Sequence, residues 1–513
     1  MSPTAQNAGG RAAAPSDILI RGGEVLVETG QGRRRERADL MVSGDRIAAI
    51  GSDLVAPAGC AVLEAAGHLV LPGLINAHFH SPGNFMKGML DGLPLELFML
   101  YEVPPLAEGA DSGRLAHVRT LLGALEMLKL GITSVMDDAF HVPIATRDSV
   151  DGIMAAYRDS GMRARVAIDQ PNVVEYDKFP FLADLLPAEM RAAMDAAPRQ
   201  SGEELIELYR HLIDTWDGAA DGRLSAALSC SAPQRVTVPY LEALSRLSRE
   251  RHLPFNIHIL ETKLQRVLGE EKYGRSLVRY AHDNGALSPD TVVIHAIWVD
   301  DDDMRILAET GVTVAHNPVC NLRLGSGIAP FRAWRNAGIQ VCLGTDELIA
   351  DDSANLWGAI KGMGLVHTLA DADPATWPAA PEILDTMWHG GARALGLEGR
   401  IGRLAPGALA DIAVVDLDTF AFTPLNDIER QLVYCETGSS VRHVMVGGRW
   451  VVRDGRVTTV DEVALRREAR AIMAEAAPGM AAAREAALKL DPYYRAMVRR
   501  AHARDVGLRR RLD

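Results

Sequence analysis

Between residues 69 and 345 an apolar, strand-like run followed by a helix-like stretch recurs eight times. The strand candidates fall near 69–75, 131–137, 163–169, 224–231, 253–259, 291–296, 311–316 and 338–345. Stretches such as "RLAHVRTLLGALEMLKL", "EELIELYRHLIDTW", "VPYLEALSRLSRER" and "GRSLVRYAHDNG" supply the helices between them. A helix that carries the chain back between two strands makes those strands parallel. Eight such units predict an α/β protein built on a (β/α)8 TIM barrel with insertions. A doubly wound open sheet is the competing arrangement. It lacks a Gly-rich phosphate turn after the first strand, and "GSGIAP" (325–330) comes too late to serve.

The flanks have a different texture. Short alternating strands broken by glycine occupy 16–70, and the same pattern returns at 405–456 in "GALADIAVVDLD" and "SVRHVMVGGRWVVRDGRV". Two β-rich stretches at opposite ends of a chain can pair, so they predict one composite β-sandwich domain, with the barrel at 71–404. Residues 457–513 read as a helical C-terminal arm that packs over the barrel or a neighbouring subunit, rather than as a functional lid. Residues 1–15 read as a disordered tail, because "MSPTAQNAGGRAAAPS" has no charged-then-apolar leader pattern.

Composition narrows the function classes. The formal net charge of −13 opposes binding to a polyanion, so no nucleic-acid partner is expected. "GRRRER" (32–37) reads as a solvated loop. No apolar run is long enough to cross a bilayer. Five scattered cysteines without a C-x-x-C pair suit reduced thiols, and a cytoplasmic location is expected.

The strand ends carry the chemistry. "LPGLINAHFH" ends its strand with His78 and His80, which leave one face together because side chains at i and i+2 point the same way. "LPFNIHILE" ends with His258 and, three residues on, Glu261. "TVVIHAIW" ends with His295, "VTVAHNP" with His316 and "IQVCLGTDE" with Asp346. In a barrel these carboxyl ends converge on one mouth, where catalytic groups lie. His78, His80, His258 and Asp346 therefore make a ligand set for one divalent metal ion, Zn²⁺ first and Fe²⁺ as the alternative, with a position left for water. A divalent cation lowers the pKa of water from ~15.7 to about 7. Asp346 can accept the water's proton, Glu261 can pass a proton to a substrate nitrogen, and His295 can hydrogen-bond the attacking oxygen. Simpler roles stay open: Asp346 as a helix N-cap, Glu261 as a carboxylate at a helix start, His316 as a brace for "HNPVCNLRLGSG".

In this order, "LPGLINAHFH", "HILETK", "VIHAIW", "AHNPVCNLRLGSG" and "GTDELIADDSANLW" resemble the amidohydrolase superfamily. The branch is that of S-adenosylhomocysteine, guanine and cytosine deaminases and the atrazine/triazine hydrolases. The likeness runs through "GRLAPGALADIAVVDLD" and so covers nearly the whole chain. It implies a metal-dependent barrel with a composite β-sandwich and hydrolytic loss of ammonia or an amine from a nitrogen-rich ring. It implies the same four ligands, with Glu261, His295 and Asp346 moving protons. Binuclear relatives carry a carboxylated lysine on strand four; "LSAALSCSAPQR" has none, so one metal is expected. Ser231 stands where those deaminases usually show a histidine, Lys87 where arginine is common and Phe98 where tryptophan is common.

The expected activity is that of a metal-dependent aminohydrolase acting on a small-molecule nitrogen heterocycle. Cleavage of an open amide, urea or carbamate by the same centre is the alternative, motivated by Ser231 and Lys87. A fold-only binding protein would have lost a ligand, and none is lost; a serine hydrolase would need G-x-S-x-G, which is absent. The substrate wall is expected between Ser81 and Glu102, with Asn84, Phe85, Met86 and Lys87 near the first motif and Leu97 and Tyr101 further out. Ser231 and His316 are expected to face the substrate as well. By analogy a homo-oligomer is expected, a C₂ dimer being the commonest closed form.

Overall fold

The computed structural model describes residues 17–29, 32–348 and 353–511, so the expected tail at 1–15 lies outside the described residues. The chain begins with five strands: β1 (Ile18–Thr29), β2 (Gly32–Ser43), β3 (Arg46–Gly51), β4 (Ala61–Glu64) and β5 (His68–Pro72). β1 and β2 pair antiparallel from Ile18 opposite Val42 to Thr29 opposite Gly32. "GRRRER" is therefore strand, part of β2, and not the loop that its charge suggested. Its arginines are mostly exposed, while Arg33 reaches Glu429 Oε1 at 2.8 Å. Charge marks the solvent side of a ribbon as readily as a loop.

The barrel follows. Its strand positions are β6 (Leu74–His80), β7 (Ile132–Phe140), β8 (Arg163–Asp169), β9 (Leu224–Ala226) with β10 (Leu228–Ser229), β11 (Phe255–Ile259), β12 (Thr291–His295), β13 (Thr313–His316), and β14 (Gln340–Leu343) with β15 (Asp346–Glu347). Two five-stranded parallel arcs, β15-β6-β7-β8-β9 and β10-β11-β12-β13-β14, make up the wall. The fourth and eighth strands are each in two pieces, and the arcs meet at these breaks. Ala227 N still bonds Val166 O at 2.9 Å across the first. At the second, Gly344 packs so closely on β6 that a Cβ there would stand 2.8 Å from the Cβ and carbonyl oxygen of His78. β15 then pairs with β6, placing Asp346 opposite Phe79 and Glu347 opposite His80. The first barrel strand begins at Leu74, not at 69; residues 69–72 belong to β5 of the terminal sheet.

The last strands, β16 (Ile412–Asp416), β17 (Val441–Val446), β18 (Arg449–Arg453) and β19 (Arg456–Val457), join the first five in one nine-stranded sheet. β5 makes the junction, parallel to β1 and antiparallel to β16. This β-rich domain has its own apolar core, including Ile20, Val25, Leu40, Val42, Val70, Ile412 and Val414. Barrel strands bury both faces, as expected of parallel strands covered by helices; all seven residues of β6 are buried.

The C-terminal arm is a helix, Glu462–His502, with Asp461 capping its first amides. It binds the barrel at two places. Leu465, Ala469 and Ile472 enter the main core. Ala487, Leu490, Tyr494, Met497 and Val498 pack on Leu97, Leu100, Phe179, Leu182 and Met194. The second contact spans the rim of the barrel mouth. Among the described residues no helix is long and apolar enough to cross a membrane.

Candidate active site

His78, His80, His258, His295 and Asp346 meet at the mouth of the barrel. Ring centroids are 4.7 Å apart for His78–His80, 5.0 Å for His78–His258 and 5.4 Å for His80–His258. Asp346 Oδ1 lies 3.4 Å from His78 Nε2 and 3.5 Å from His80 Nε2. Donor atoms of His78, His80 and His258 fall within 4.8 Å of one another, as do those of His78, His295 and Asp346.

Neighbouring backbone aims the rings. His258 Nδ1 bonds Ser231 O at 2.7 Å, and His80 Nδ1 bonds Asp138 O. Fixing one nitrogen of an imidazole orients the other. Asp346 is held by Asn317 Nδ2 at 3.2 Å and by the Glu347 amide at 2.8 Å. Ser231, Leu260, His295, Ala296 and Asp346 all have positive φ, from 44° to 72°. For residues with a Cβ this conformation is strained, and such strain gathers where surrounding structure over-determines a functional geometry. All five lie at the carboxyl ends of barrel strands.

Both nitrogens of His78 are buried without a hydrogen-bond partner. Such orphaned polar atoms are uncommon in a native interior. A cation at Nε2 would answer this one, and three imidazoles with a carboxylate are a donor set that Zn²⁺ or Fe²⁺ accepts. Burial pushes His78 down to about 4, outweighing the pull of Asp346. Burial and the neighbouring imidazoles also hold His258 well below its ordinary range. Both rings are thus neutral, as ligands must be. At His80 burial again opposes charge, but Asp346, Asp138 and Asp169 prevail and lift it to about 9, so a cation bound at its Nε2 would displace a proton there. Burial works to raise Asp346, yet the imidazoles of His78, His295 and His80 hold it well below the usual carboxylate range.

Glu261 stands next to this cluster. Its Oε2 is 3.4 Å from His295 Nε2, and Ser326 Oγ donates to its Oε1 at 3.1 Å. Burial raises its pKa, with Asp346 and Glu96 adding to the effect and His295 opposing it. His295 Nδ1 meets Asn321 Oδ1 at 3.0 Å, which turns Nε2 toward Glu261 and Asp346. A carboxyl group with a raised pKa beside an ionised carboxylate and an imidazole is placed to move protons in both directions.

A cavity opens over the cluster. His80, His258, Glu261, His295 and Asp346 line it, with Ser231 and Arg235 on one wall and Leu95, Met99 and Glu102 on another. Ser231 was expected there. Asn84, Phe85, Met86, Lys87 and His316 are not among the lining residues. Asn84 turns into the protein to donate to Arg119 O at 2.7 Å. Phe85 packs on the main core and Met86 on the Leu90–Phe98 cluster. Lys87 pairs with Glu126. His316 Nε2 faces His367 Nε2 at 3.0 Å, beside Trp334. The helix Leu95–Glu102 does form wall, but through Leu95, Met99 and Glu102. Leu97 and Tyr101 point to the arm, where Tyr101 Oη donates to Asp491 at 2.8 Å.

Residues outside the sequence reading complete the site. Asp138 and Asp169, at the ends of β7 and β8, lie with His258 in a further close group of donors. Burial raises the pKa of both carboxyls. "MDD" and "AID" end apolar runs as the histidine motifs do, and that signal would have found them. Asn317, Asn321, Ser326, Gln170, Arg235, Glu102 and Glu347 had no such mark.

Comparison with known proteins gives the family. Residues 69–451 match the amidohydrolase family. A 5-methylthioadenosine/S-adenosylhomocysteine deaminase of Natronomonas pharaonis is 32% identical over 475 residues, covering 92% of this chain and 98% of its own. An adenosine deaminase from Xanthomonas campestris, solved with bound zinc, superposes with a TM-score of 0.76 at 26% identity over 89% of this chain and 98% of its own. The atrazine chlorohydrolase of Arthrobacter aurescens TC1, complexed with zinc, gives 0.79 at 26% identity, over 89% and 100%. The chain belongs to the amidohydrolase family.

Proposed function

We propose that this hydrolase releases ammonia or an amine from a carbon of a nitrogen-rich heterocycle, using water activated at a single metal site. His78, His80, His258 and Asp346 would hold the ion, Zn²⁺ before Fe²⁺. When bound, the ion supplies Lewis-acid chemistry that brings the pKa of water to about 7. Asp346, ionised across the neutral range, accepts the proton that water loses as its oxygen adds to the ring carbon. In its acid form Glu261, whose pKa burial raises, gives its proton to the adjacent ring nitrogen. His295 Nε2, within 3.5 Å of both carboxylates, connects the two proton carriers. As the tetrahedral carbon collapses, the proton held by Asp346 passes to the departing nitrogen and Glu261 takes the hydroxyl proton, so ammonia or an amine leaves and both carboxyls return to their starting states.

The observation that carries this reading is the buried Glu261 beside His295, at the edge of three imidazoles and one carboxylate. Amide cleavage needs its leaving nitrogen protonated; ring deamination also needs a ring nitrogen protonated first, and a separate buried acid suits that task. The amide, urea or carbamate alternative had Lys87 and Ser231 as its supports. Lys87 lies away from the cavity, and only Ser231 still favours it.

The nucleoside and triazine enzymes named above indicate the screen. Zinc-loaded protein is assayed for ammonia or amine release from aminopurines, their nucleosides, aminopyrimidines and aminotriazines, with products identified by mass spectrometry. Turnover of any of them supports the reading. Carboxylate or carbamate products from amides, with every ring amine inert, would replace it. A cytoplasmic dimer remains the expected setting, which sedimentation and fractionation test.

A further inference from the structure

We propose that Arg235 receives an acidic group of the substrate, so that the heterocycle turned over here carries a carboxylate on or close to its ring. This rests on the reading above that the substrate enters the cavity over the imidazole cluster. Arg235 ends the 3-10 turn Pro233–Arg235, soon after β10, and lines that cavity while only 8% exposed. Its guanidinium has two side-chain partners, and both are neutral. Nη1 donates to Ser231 Oγ at 3.2 Å and Nη2 to Met99 Sδ at 2.8 Å. A thioether is a weak acceptor, whereas a guanidinium offers five donors in a fixed fork. Ser231 ties this group to the reacting centre, because its carbonyl accepts from His258 Nδ1 at 2.7 Å.

Among the described residues no carboxylate forms an ion pair with Arg235. Asp169 and Glu96, whose pKa values burial raises, feel its charge from a distance. Neither is bonded to it: Asp169 Oδ1 has no partner, and Glu96 Oε1 accepts from Thr262 Oγ1. Asp169 answers His80 as well. Other buried arginines are treated differently. Arg163 holds Asp411 at 2.7 Å, and Arg119 holds Asp111 at 2.6 Å. Arg223 also lacks a carboxylate, but it precedes β9, at the end of the barrel away from the mouth. The other cations along the cavity are taken up by protein. Lys178 Nζ bonds Glu175 at 2.7 Å, and Arg199 donates to the carbonyls of Met194 and Asp195. A buried cation without its counter-charge is costly, and this one faces space that a small molecule can fill. A carboxylate accepts the guanidinium fork through two parallel N–H···O bonds, which no neutral ring atom can match.

The test titrates zinc-loaded protein calorimetrically with ring carboxylates and their neutral amides: orotate and orotamide, pyrazinoate and pyrazinamide, nicotinate and nicotinamide. At least one carboxylate is expected to bind about tenfold more tightly than its amide, the size of one charge-assisted hydrogen bond. R235Q, with metal content measured, is expected to abolish that preference and to leave binding of the amide near wild type; R235M serves if R235Q does not fold. A wild type that prefers no carboxylate would overturn the inference. So would a preference that survives the variant and therefore belongs to the ion, or an equal loss for carboxylate and amide. Each of these leaves ring deamination intact. An Arg235-dependent preference with no ring amine hydrolysed would instead remove the deaminase reading and keep the carboxylate subsite.

Discussion

Glu261 Oε2 stands 3.4 Å from His295 Nε2, and the same ring nitrogen is 3.5 Å from Asp346 Oδ2. One imidazole edge thus faces the two carboxyls assigned to opposite proton transfers. Glu261→Gln keeps shape and a hydrogen bond to Ser326 but removes the transferable proton. The expected result is a fall in kcat of about 10²–10⁴-fold with metal content retained. Steady-state kinetics beside elemental analysis checks it, and unchanged turnover would take Glu261 out of the mechanism.

Both nitrogens of His78, a proposed metal ligand, are buried without a hydrogen-bond partner. Ligand binding to the folded state raises its apparent stability. Zinc is therefore expected to raise the melting temperature of the chelator-stripped wild type, and His78→Ala is expected to lose that rise together with activity. Differential scanning fluorimetry across a zinc titration reads the difference. A wild-type response in the variant would place the ion elsewhere.

Much of this site was legible because strands announce their ends. His78, His80, His258, His295 and Asp346 each terminate an apolar run, and parallel topology carries all such ends to one mouth. The walls were not legible, for a physical reason. The helix Leu95–Glu102 has apolar residues around most of its circumference, so periodicity cannot say which face meets the cavity. That choice is made by Tyr494 and Leu490, far away in the chain, which claim Leu97 and leave Leu95, Met99 and Glu102 inside. Asn84 and Lys87 failed as wall residues similarly. A short 3-10 turn at Ser81–Phe85 sends Asn84 toward Arg119, and Lys87 finds Glu126, contacts between segments that no local pattern records. The split at Gly344 is likewise set by its approach to β6.

Burial first, then the nearby carboxyls of Asp346 and Asp169, lifts Glu102 to about 7, with Glu347 and His80 acting the other way. The folded chain then holds a proton that the unfolded chain releases near the ordinary glutamate value of about 4.3. Where the native state binds more protons, stability falls as pH rises. Glu102 therefore destabilises the fold progressively through the window up to about 7, and the penalty persists above it. Glu102→Gln carries no such proton. It is expected to gain stability relative to wild type by about 1–3 kcal/mol between pH 5 and pH 8. Denaturant melts of both proteins at the two pH values check the sign; a parallel response would refute it.

Tyr494 Oη donates to Glu175 Oε1 at 2.9 Å, and its ring packs edge-on against Phe179 at 5.6 Å. Glu175 lines the cavity with Val173 and Lys178, so the arm holds a piece of the substrate wall without touching the imidazole cluster. Tyr494→Phe removes one hydrogen bond to a carboxylate, worth about 1.5–3 kcal/mol, and keeps the ring in place. A wall that loses its anchor binds substrate less well before it disturbs proton transfer. The expected change is a higher KM with kcat and zinc content near wild type, once a turned-over substrate is in hand. Tyr494→Ala also empties a buried aromatic site, which costs about 3–5 kcal/mol, and should lower the melting temperature as well. A fall in kcat at unaltered KM in Tyr494→Phe would mean that the arm acts on the reacting groups and not on the wall.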